Sequence, residues 1–268
     1  MSKLYSLESQ RIGLALSGGG LRGIAHIGVL KGLAEFGLAP SVVAGTSIGS
    51  IIGAGIAAGM SWQELAEMAR DVFWPGLLRG RILEEFCARQ FPQNFADLSL
   101  SFVATATALP SKQTVVLKTG RLAPAISASC AVHLRRPVIL GGERLKDGGF
   151  SCVLPSQMCR DLGAGFVIAS DVWEFSAMLR GIGIAHRHRL AGRVYPRHYM
   201  RAVQSSDLLI QPAIPLSSYM LMPGFVDRLI ASGEAATRRA LETDGFASQN
   251  VQKGHVFYNS HCPPDVGP

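Results

Sequence analysis

Ser47 sits at the centre of Gly45-Thr46-Ser47-Ile48-Gly49, between an apolar run ending at Ala44 and a small-residue run from Ile48 to Ala58. A serine on a sharp strand-to-helix turn has the geometry of a nucleophile elbow. Glycines two residues to either side relieve crowding, and the helix N-terminus stabilises negative charge nearby. The same letters also fit a glycine turn that merely feeds a small-residue helix, so the motif needs companions. Gly18-Gly19-Gly20-Leu21-Arg22-Gly23 is the first. Consecutive glycines after a strand let backbone N–H groups converge on one point, which suits an oxyanion or a phosphate. These letters also satisfy GxGxxG. A dinucleotide site, however, calls for an acidic residue about 20 positions further on, and Pro40 to Gly45 offers only Ser41 among small polar residues. A nicotinamide or flavin cofactor is therefore disfavoured.

Asp147-Gly148-Gly149 is the third feature. Asp-Gly is a favoured turn pair, yet a serine nucleophile needs a base, and a carboxylate on a glycine loop can approach a hydroxyl with no bulky neighbour in the way. An ordinary aspartate, with a pKa of about 3.9, is a weak base for serine. Such a site therefore needs partial burial of the carboxylate, or stabilisation of the oxyanion that follows. His186, His188 and His198 would complete a Ser-Asp-His triad in chain order, but their segment has no strand pattern to hold a histidine in place. His26, inside an apolar run, reads as a packed structural histidine. No clustered His, Cys or carboxylate spacing points to a metal, so neither metal nor cofactor is expected.

Strands alternating with helices would position these motifs. Ile12 to Leu16 reads as a strand, Gly18 to Gly20 as a loop, and the residues after Arg22 as a helix through Phe36 that stops at Gly37. Val42 to Ala44 begins a second strand, and Ile48 to Ala58 a buried helix. Ser61 to Val72 is an amphipathic helix with Ser61 and Glu64 spaced as a capping box. Ser99 to Leu109 and Thr114 to Lys118 read as paired strands, with a hairpin-like approach through Val138–Leu140 and Arg144–Lys146 to Asp147. Pro155 to Leu162 is a helix, Gly165 to Ser170 a buried strand, Leu208 to Ile210 a strand and Phe225 to Leu241 the last helix. This alternation predicts an α/β fold with a largely parallel sheet covered on both faces. The chain reads as one domain over 1–268, with a core at about 12–245, a basic loop or lid at 172–201 and a tail at 246–268.

The 268 residues are 48% hydrophobic and only 17% charged, which excludes a disordered or fibrous chain. A net charge of +7 favours an anionic partner. The basic residues form no lysine-rich block and accompany no zinc-finger or ribonucleoprotein signature, so nucleic acid is the weaker reading. The stretch from Val172 to Arg201, with Trp173, Phe175, Met178 and Leu179 beside arginines that include Arg187 and Arg189, suggests peripheral contact with an anionic membrane. Its bland reading is a solvated surface. Cys87, Cys130, Cys152, Cys159 and Cys262 are odd in number and show no CxxC pair, consistent with reduced thiols in a cytoplasmic protein. Neither a signal peptide nor a membrane-spanning run is expected.

In this order, GGGxRG, GxSxG and DGG resemble the patatin-like phospholipases, and in particular compact bacterial members. The resemblance runs from Ile12 through Val172, with Ala25-His26-Ile27-Gly28-Val29-Leu30, Ala128-Ser129 and Leu162-Gly163-Ala164 in keeping, and extends to Asp207–Pro212 and Gly233-Glu234-Ala235. It implies a three-layer α/β/α fold and a Ser–Asp dyad in place of a triad. Ser47 would attack an acyl ester and Asp147 would take its proton. The backbone of Gly18, Gly19 and Gly20, with Arg22 and Gly23, would cradle the oxyanion, and Gly45, Gly49, Gly148 and Gly149 would complete the motifs. The implied function is hydrolysis of lipid acyl esters, of phospholipase A or lysophospholipase type, through an acyl-enzyme. Departures lie at His133, Arg135 and Arg136, where the family offers a proline and apolar residues, and at Val153, where it offers asparagine. They leave a second reading, a weak or inactive lipid-binding or regulatory protein on the same fold.

Overall fold

The computed structural model describes residues 10–72, 74–77, 81–132, 135–173, 197–214 and 223–243. Eight strands form one mixed sheet: β1 (Ile12–Leu16), β2 (Val42–Thr46), β3 (Ser101–Leu109), β4 (Thr114–Leu117), β5 (Val138–Leu140), β6 (Glu143–Asp147), β7 (Phe166–Ser170) and β8 (Leu208–Ile210). They are linked in the order β5-β6-β3-β2-β1-β7-β8, with β4 also paired to β3. From β3 to β8 every pairing along that path is parallel, whereas β4, β5 and β6 join antiparallel. The helices are α1 (Ala25–Glu35), α2 (Ile48–Ala57), α3 (Trp62–Asp71), α4 (Trp74–Leu77), α5 (Ile82–Gln90), α6 (Leu122–Ser129), α7 (Ser156–Asp161), α8 (Arg197–Gln204) and α9 (Phe225–Thr243).

The central strands β1, β2 and β7 are buried at nearly every position and mostly apolar because both faces are covered. Along β1, Leu14 and Leu16 enter the core shared with α1, α2, α3 and α9, while Ala15 enters the opposite core, shared with Cys159 of α7 and Tyr199 of α8. In β2, Val43 takes the first side and Val42 and Ala44 the second. Three layers result. Helices α1 and α9 approach so closely that a Cβ at Gly28 would lie 1.8 Å from the Ile230 carbonyl oxygen, and one at Gly233 would lie 2.0 Å from that of Ala25. A Lys31–Glu234 ion pair at 2.7 Å closes the same contact.

Strand β3 brings the two distant motifs together. At Thr105 it pairs with Thr46 of β2 and also with Val116 of β4, so β2 and β4 take opposite edges. At Ala106 it pairs with Val115 of β4 and with Asp147 of β6. A strand has only two edges, so β6 continues the edge that β2 leaves. The two strands run toward each other along it and end at Thr46 and Asp147.

The capping box at Ser61 and Glu64 forms as expected. One helix departs from expectation. The segment Leu122–Ser129 is α6, although it lacks a side-chain N-cap and carries Pro124 in its first turn, where a missing N–H costs nothing. Within the stretch expected to be loop, lid or surface helix, Arg197–Gln204 is helix α8. The rest of that stretch from 174 to 196, with Phe175, Met178, Leu179, Arg187, Arg189, His186 and His188, lies outside the described residues, as do His133, Cys262 and the 246–268 tail.

Candidate active site

Ser47 occupies the tight junction between β2 and α2. Its backbone, at φ 54° and ψ −126°, lies where a side chain is strained, and it is held there by its neighbours. A Cβ at Gly45 would lie 2.2 Å from the Gly49 carbonyl oxygen, and one at Gly49 would lie 2.4 Å from the Leu16 carbonyl oxygen. Both motif glycines are thus required by backbone packed against backbone. The Ser47 N–H donates to Ser129 Oγ at 2.9 Å, and the Ser47 carbonyl accepts from Ser50 Oγ at 2.6 Å.

The Ser47 hydroxyl donates to Asp147 Oδ2 at 2.7 Å, and both residues are only 7% exposed. Asp147 Oδ1 accepts the Gly149 N–H at 2.8 Å. A Cβ at Gly148 would meet the Thr105 carbonyl oxygen at 2.4 Å, and one at Gly149 would crowd the carboxylate at 2.9 Å, so both glycines are needed for this loop. Burial pushes the Asp147 carboxyl above the ordinary aspartate range, while the Ser47 and Gly149 hydrogen bonds and the charges of Lys146 and Arg135 pull it partly back. A raised pKa makes this carboxylate a better base.

The glycine loop lies against Ser47: a Cβ at Gly18 would sit 3.4 Å from that of Ser47. Its members do not act alike. The Gly18 N–H donates to the Val153 carbonyl at 2.9 Å and is already engaged. The Arg22 guanidinium donates from Nε to the Gly19 carbonyl at 2.8 Å and from Nη1 to the Trp173 carbonyl at 3.4 Å. Gly23 is packed so tightly that its Cβ would overlap Ile48. Of the three consecutive glycines, Gly19 and Gly20 have no such acceptor for their amides among the described residues.

Residues outside the three motifs hold the arrangement. Ser129, at the end of α6, has no sequence signal beyond its Ala-Ser context. Lys146 is buried beside Asp147 and donates to the Val132 carbonyl at 2.9 Å and the Arg135 carbonyl at 2.6 Å. Arg135, expected to intrude on an apolar wall, reaches back to the end of α6, with Nη1 3.3 Å from the Cys130 carbonyl and Nη2 3.5 Å from Ser127 Oγ. Val153 is fully buried, and its carbonyl is the Gly18 acceptor. His198 of α8 lines a separate cleft with Ser151, Gln157 and Arg201. Among the described residues no group of three or more His, Cys, Asp or Glu side chains could hold a metal ion.

Residues 14–156 match the family model of patatin-like phospholipases. The chain belongs to that family. Patatin-like phospholipase domain-containing protein 6 of Mus musculus is 34% identical over 186 residues, covering 62% of this chain and 14% of the relative. Lysophospholipase NTE1 of Kluyveromyces lactis is 28% identical over 189 residues, covering 62% and 13%. This patatin-like chain therefore spans about one seventh of the length of these curated relatives. Among solved structures, VipD from Legionella pneumophila superposes with a TM-score of 0.59 at 14% identity, covering 87% of this chain and 67% of that one. The type III effector protein ExoU gives 0.50 at 14% identity, covering 87% and 53%. These two likenesses concern the fold, which is the mixed α/β architecture described above. No helix among the described residues is long and apolar enough to cross a membrane.

Proposed function

We propose that this patatin-like protein hydrolyses acyl esters of lipids, of phospholipase A or lysophospholipase type, through a Ser47–Asp147 dyad. The observation that carries the reading is the 2.7 Å hydrogen bond from Ser47 Oγ, on its strained elbow, to a buried carboxylate. As Ser47 Oγ attacks the carbonyl carbon, its proton passes to Asp147 Oδ2 and negative charge moves to the carbonyl oxygen. The amides of Gly19 and Gly20, with the N-terminal end of α2 nearby, receive that oxyanion. Collapse of the tetrahedral adduct breaks the ester C–O bond, and the leaving alkoxide takes the proton from Asp147. Water then attacks the acyl-Ser47 carbonyl as Asp147 takes its proton; the Ser47 Oγ–acyl bond breaks, Asp147 returns that proton to Ser47 Oγ, and the carboxylic acid leaves.

A lipid substrate is supported by membership of a phospholipase family and by a relative named lysophospholipase. The intact Ser47–Asp147 contact favours this reading over an inactive lipid-binding protein. Labelling with a fluorophosphonate probe, followed by release of p-nitrophenol from short- and medium-chain esters, tests it. Wild type labels at Ser47, Ser47→Ala neither labels nor turns over, and Asp147→Asn loses about 10²-fold or more in kcat. Turnover by Ser47→Ala equal to wild type defeats the proposal.

A further inference from the structure

His26 is a fully buried imidazole that the acyl-transfer chemistry does not touch. Its Nε2 lies 3.0 Å from the Ser17 carbonyl oxygen and its Nδ1 2.7 Å from Ser170 Oγ. A carbonyl oxygen only accepts, so Nε2 carries the proton, and the neutral ring presents its Nδ1 lone pair to the Ser170 hydroxyl, which donates. Burial lowers the imidazole pKa to about 4 and keeps the ring in this neutral form.

The bond to Ser17 falls on a peptide unit anchored at both ends. Its carbonyl accepts from His26, and its N–H, belonging to Gly18, donates to Val153 at 2.9 Å. Ser17 is fixed further by its own N–H on the Ser170 carbonyl at 3.0 Å and by its Oγ, which accepts the Val172 N–H at 2.8 Å. Two residues further on, the Gly19 carbonyl is drawn aside by Arg22 Nε. In a trans peptide the C=O and N–H point in opposite directions, so this contact turns the Gly20 N–H the other way. Glycine samples both signs of φ freely, and three in succession would not hold their amides in one direction unaided. Anchors before and after the run do so.

We infer that His26 is a positioning residue for the reaction: by holding the Ser17–Gly18 peptide through Nε2–H it sets the direction of the Gly19 amide that meets the oxyanion. The inference rests on the acyl-transfer reading above. Variants His26→Phe, which removes the donor, and His26→Gln, whose side-chain amide restores an N–H near the same place, are compared with wild type. The readouts are kcat and KM for a p-nitrophenyl ester, the rate of fluorophosphonate labelling, and the melting temperature.

The expected result is a loss of about 10- to 100-fold in kcat for His26→Phe with KM within about twofold, a parallel loss in labelling rate, and recovery of most of both by His26→Gln. Ser170→Ala, which removes the bond that holds the ring from Nδ1 and so loosens the aim of Nε2–H, lowers kcat by about 3- to 10-fold and keeps the inference testable if His26→Phe does not fold. A folded His26→Phe within twofold of wild type overturns the inference, as does a His26→Gln no better than His26→Phe. If His26→Phe fails to fold, an unchanged kcat in Ser170→Ala overturns it. Wild type that neither labels nor turns over would count instead against the dyad.

Discussion

Thr46 and Asp147 take consecutive places along one edge of β3, Thr46 opposite Thr105 and Asp147 opposite Ala106. The gap between the ends of β2 and β6 is therefore set by one step of β3, and Ser47 turns out of that gap toward the carboxylate. Hydroxyls tie the junction: Thr46 Oγ1 lies 2.7 Å from Thr105 Oγ1 and donates to the Cys152 carbonyl at 2.8 Å. Thr46→Val preserves shape but removes this buried link, leaving Cys152 with the longer Thr105 contact at 3.4 Å. The expected cost is about 1–3 kcal/mol of stability, with kcat reduced because Ser47 is the next residue. Urea denaturation together with ester hydrolysis measures both, and unchanged values in the two assays would contradict the role given to the junction.

Asp147 is held in a site that disfavours its charge. Its folded pKa is raised above the unfolded value, chiefly by burial. The folded state thus binds more protons than the unfolded state between those two pKa values, and stability falls as pH rises through that window. Asp147→Asn removes the cost of the buried charge while Ser47 can reverse its hydroxyl to accept from the new amide. At pH 7 the variant should melt higher than wild type, each kcal/mol showing as about 2–4 °C in a domain of this size, although on the proposed mechanism it should be catalytically crippled. The advantage should shrink as pH falls toward the ordinary aspartate pKa. Melting scans at pH 4 and pH 7 check the sign, and a lower melting temperature for the variant at pH 7 would count against it.

Much of this arrangement was legible in the chain because its constraints are local. Gly45 and Gly49 are demanded by the backbone contacts that shape the elbow, Gly148 by the Thr105 carbonyl and Gly149 by the carboxylate, so these sites leave a mark in the letters. Continuous runs of apolar and small residues at Ile12–Leu16 and 166–169 mark strands buried on both faces. Long-range relationships left no such mark. Nothing near Ser129 announces that it will accept the Ser47 N–H from 82 positions away. Helix α6 has small residues, no N-cap side chain and little amphipathic contrast. Gly18 looks like its neighbours in sequence, and only the packing of Val153 separates its occupied amide from those of Gly19 and Gly20.

Two glycines make a controlled contrast. At Gly49 a methyl group would enter the Leu16 and Ser17 carbonyl oxygens at 2.4 and 2.7 Å, and neither backbone can yield without moving β1 or α2. At Gly120, with φ +78°, nothing lies within 4 Å and the only penalty is the left-handed backbone. Gly120→Ala should therefore cost about 1–2 kcal/mol and keep activity. Gly49→Ala should cost about 3 kcal/mol or more and abolish turnover. Comparable melting temperatures for the two would show that the elbow is less rigid than its contacts imply.

Lys146 links the pH dependence of turnover to the turn after α6. Its ammonium group holds the Val132 and Arg135 carbonyls, and its charge, with that of Arg135, opposes the burial that raises Asp147. On the proposed mechanism Asp147 must be ionised to take the serine proton, so kcat/KM should rise with pH through an acid limb above the ordinary aspartate range. Lys146→Met removes a cation from beside the carboxylate, and Asp147 then stays protonated to higher pH. The acid limb should move up, so that at any pH on the rising limb the variant retains a smaller fraction of its own plateau rate than wild type does. Lys146→Arg keeps the charge and should leave the limb close to its wild-type position, even if the turn is repacked. The Cys130 thiol, which burial pushes up to about 12, is neutral throughout this range and contributes no titration of its own. A Lys146→Met profile that overlays wild type would show that the hydrogen bonds from Ser47 and Gly149, not the neighbouring cation, set the ionisation of Asp147.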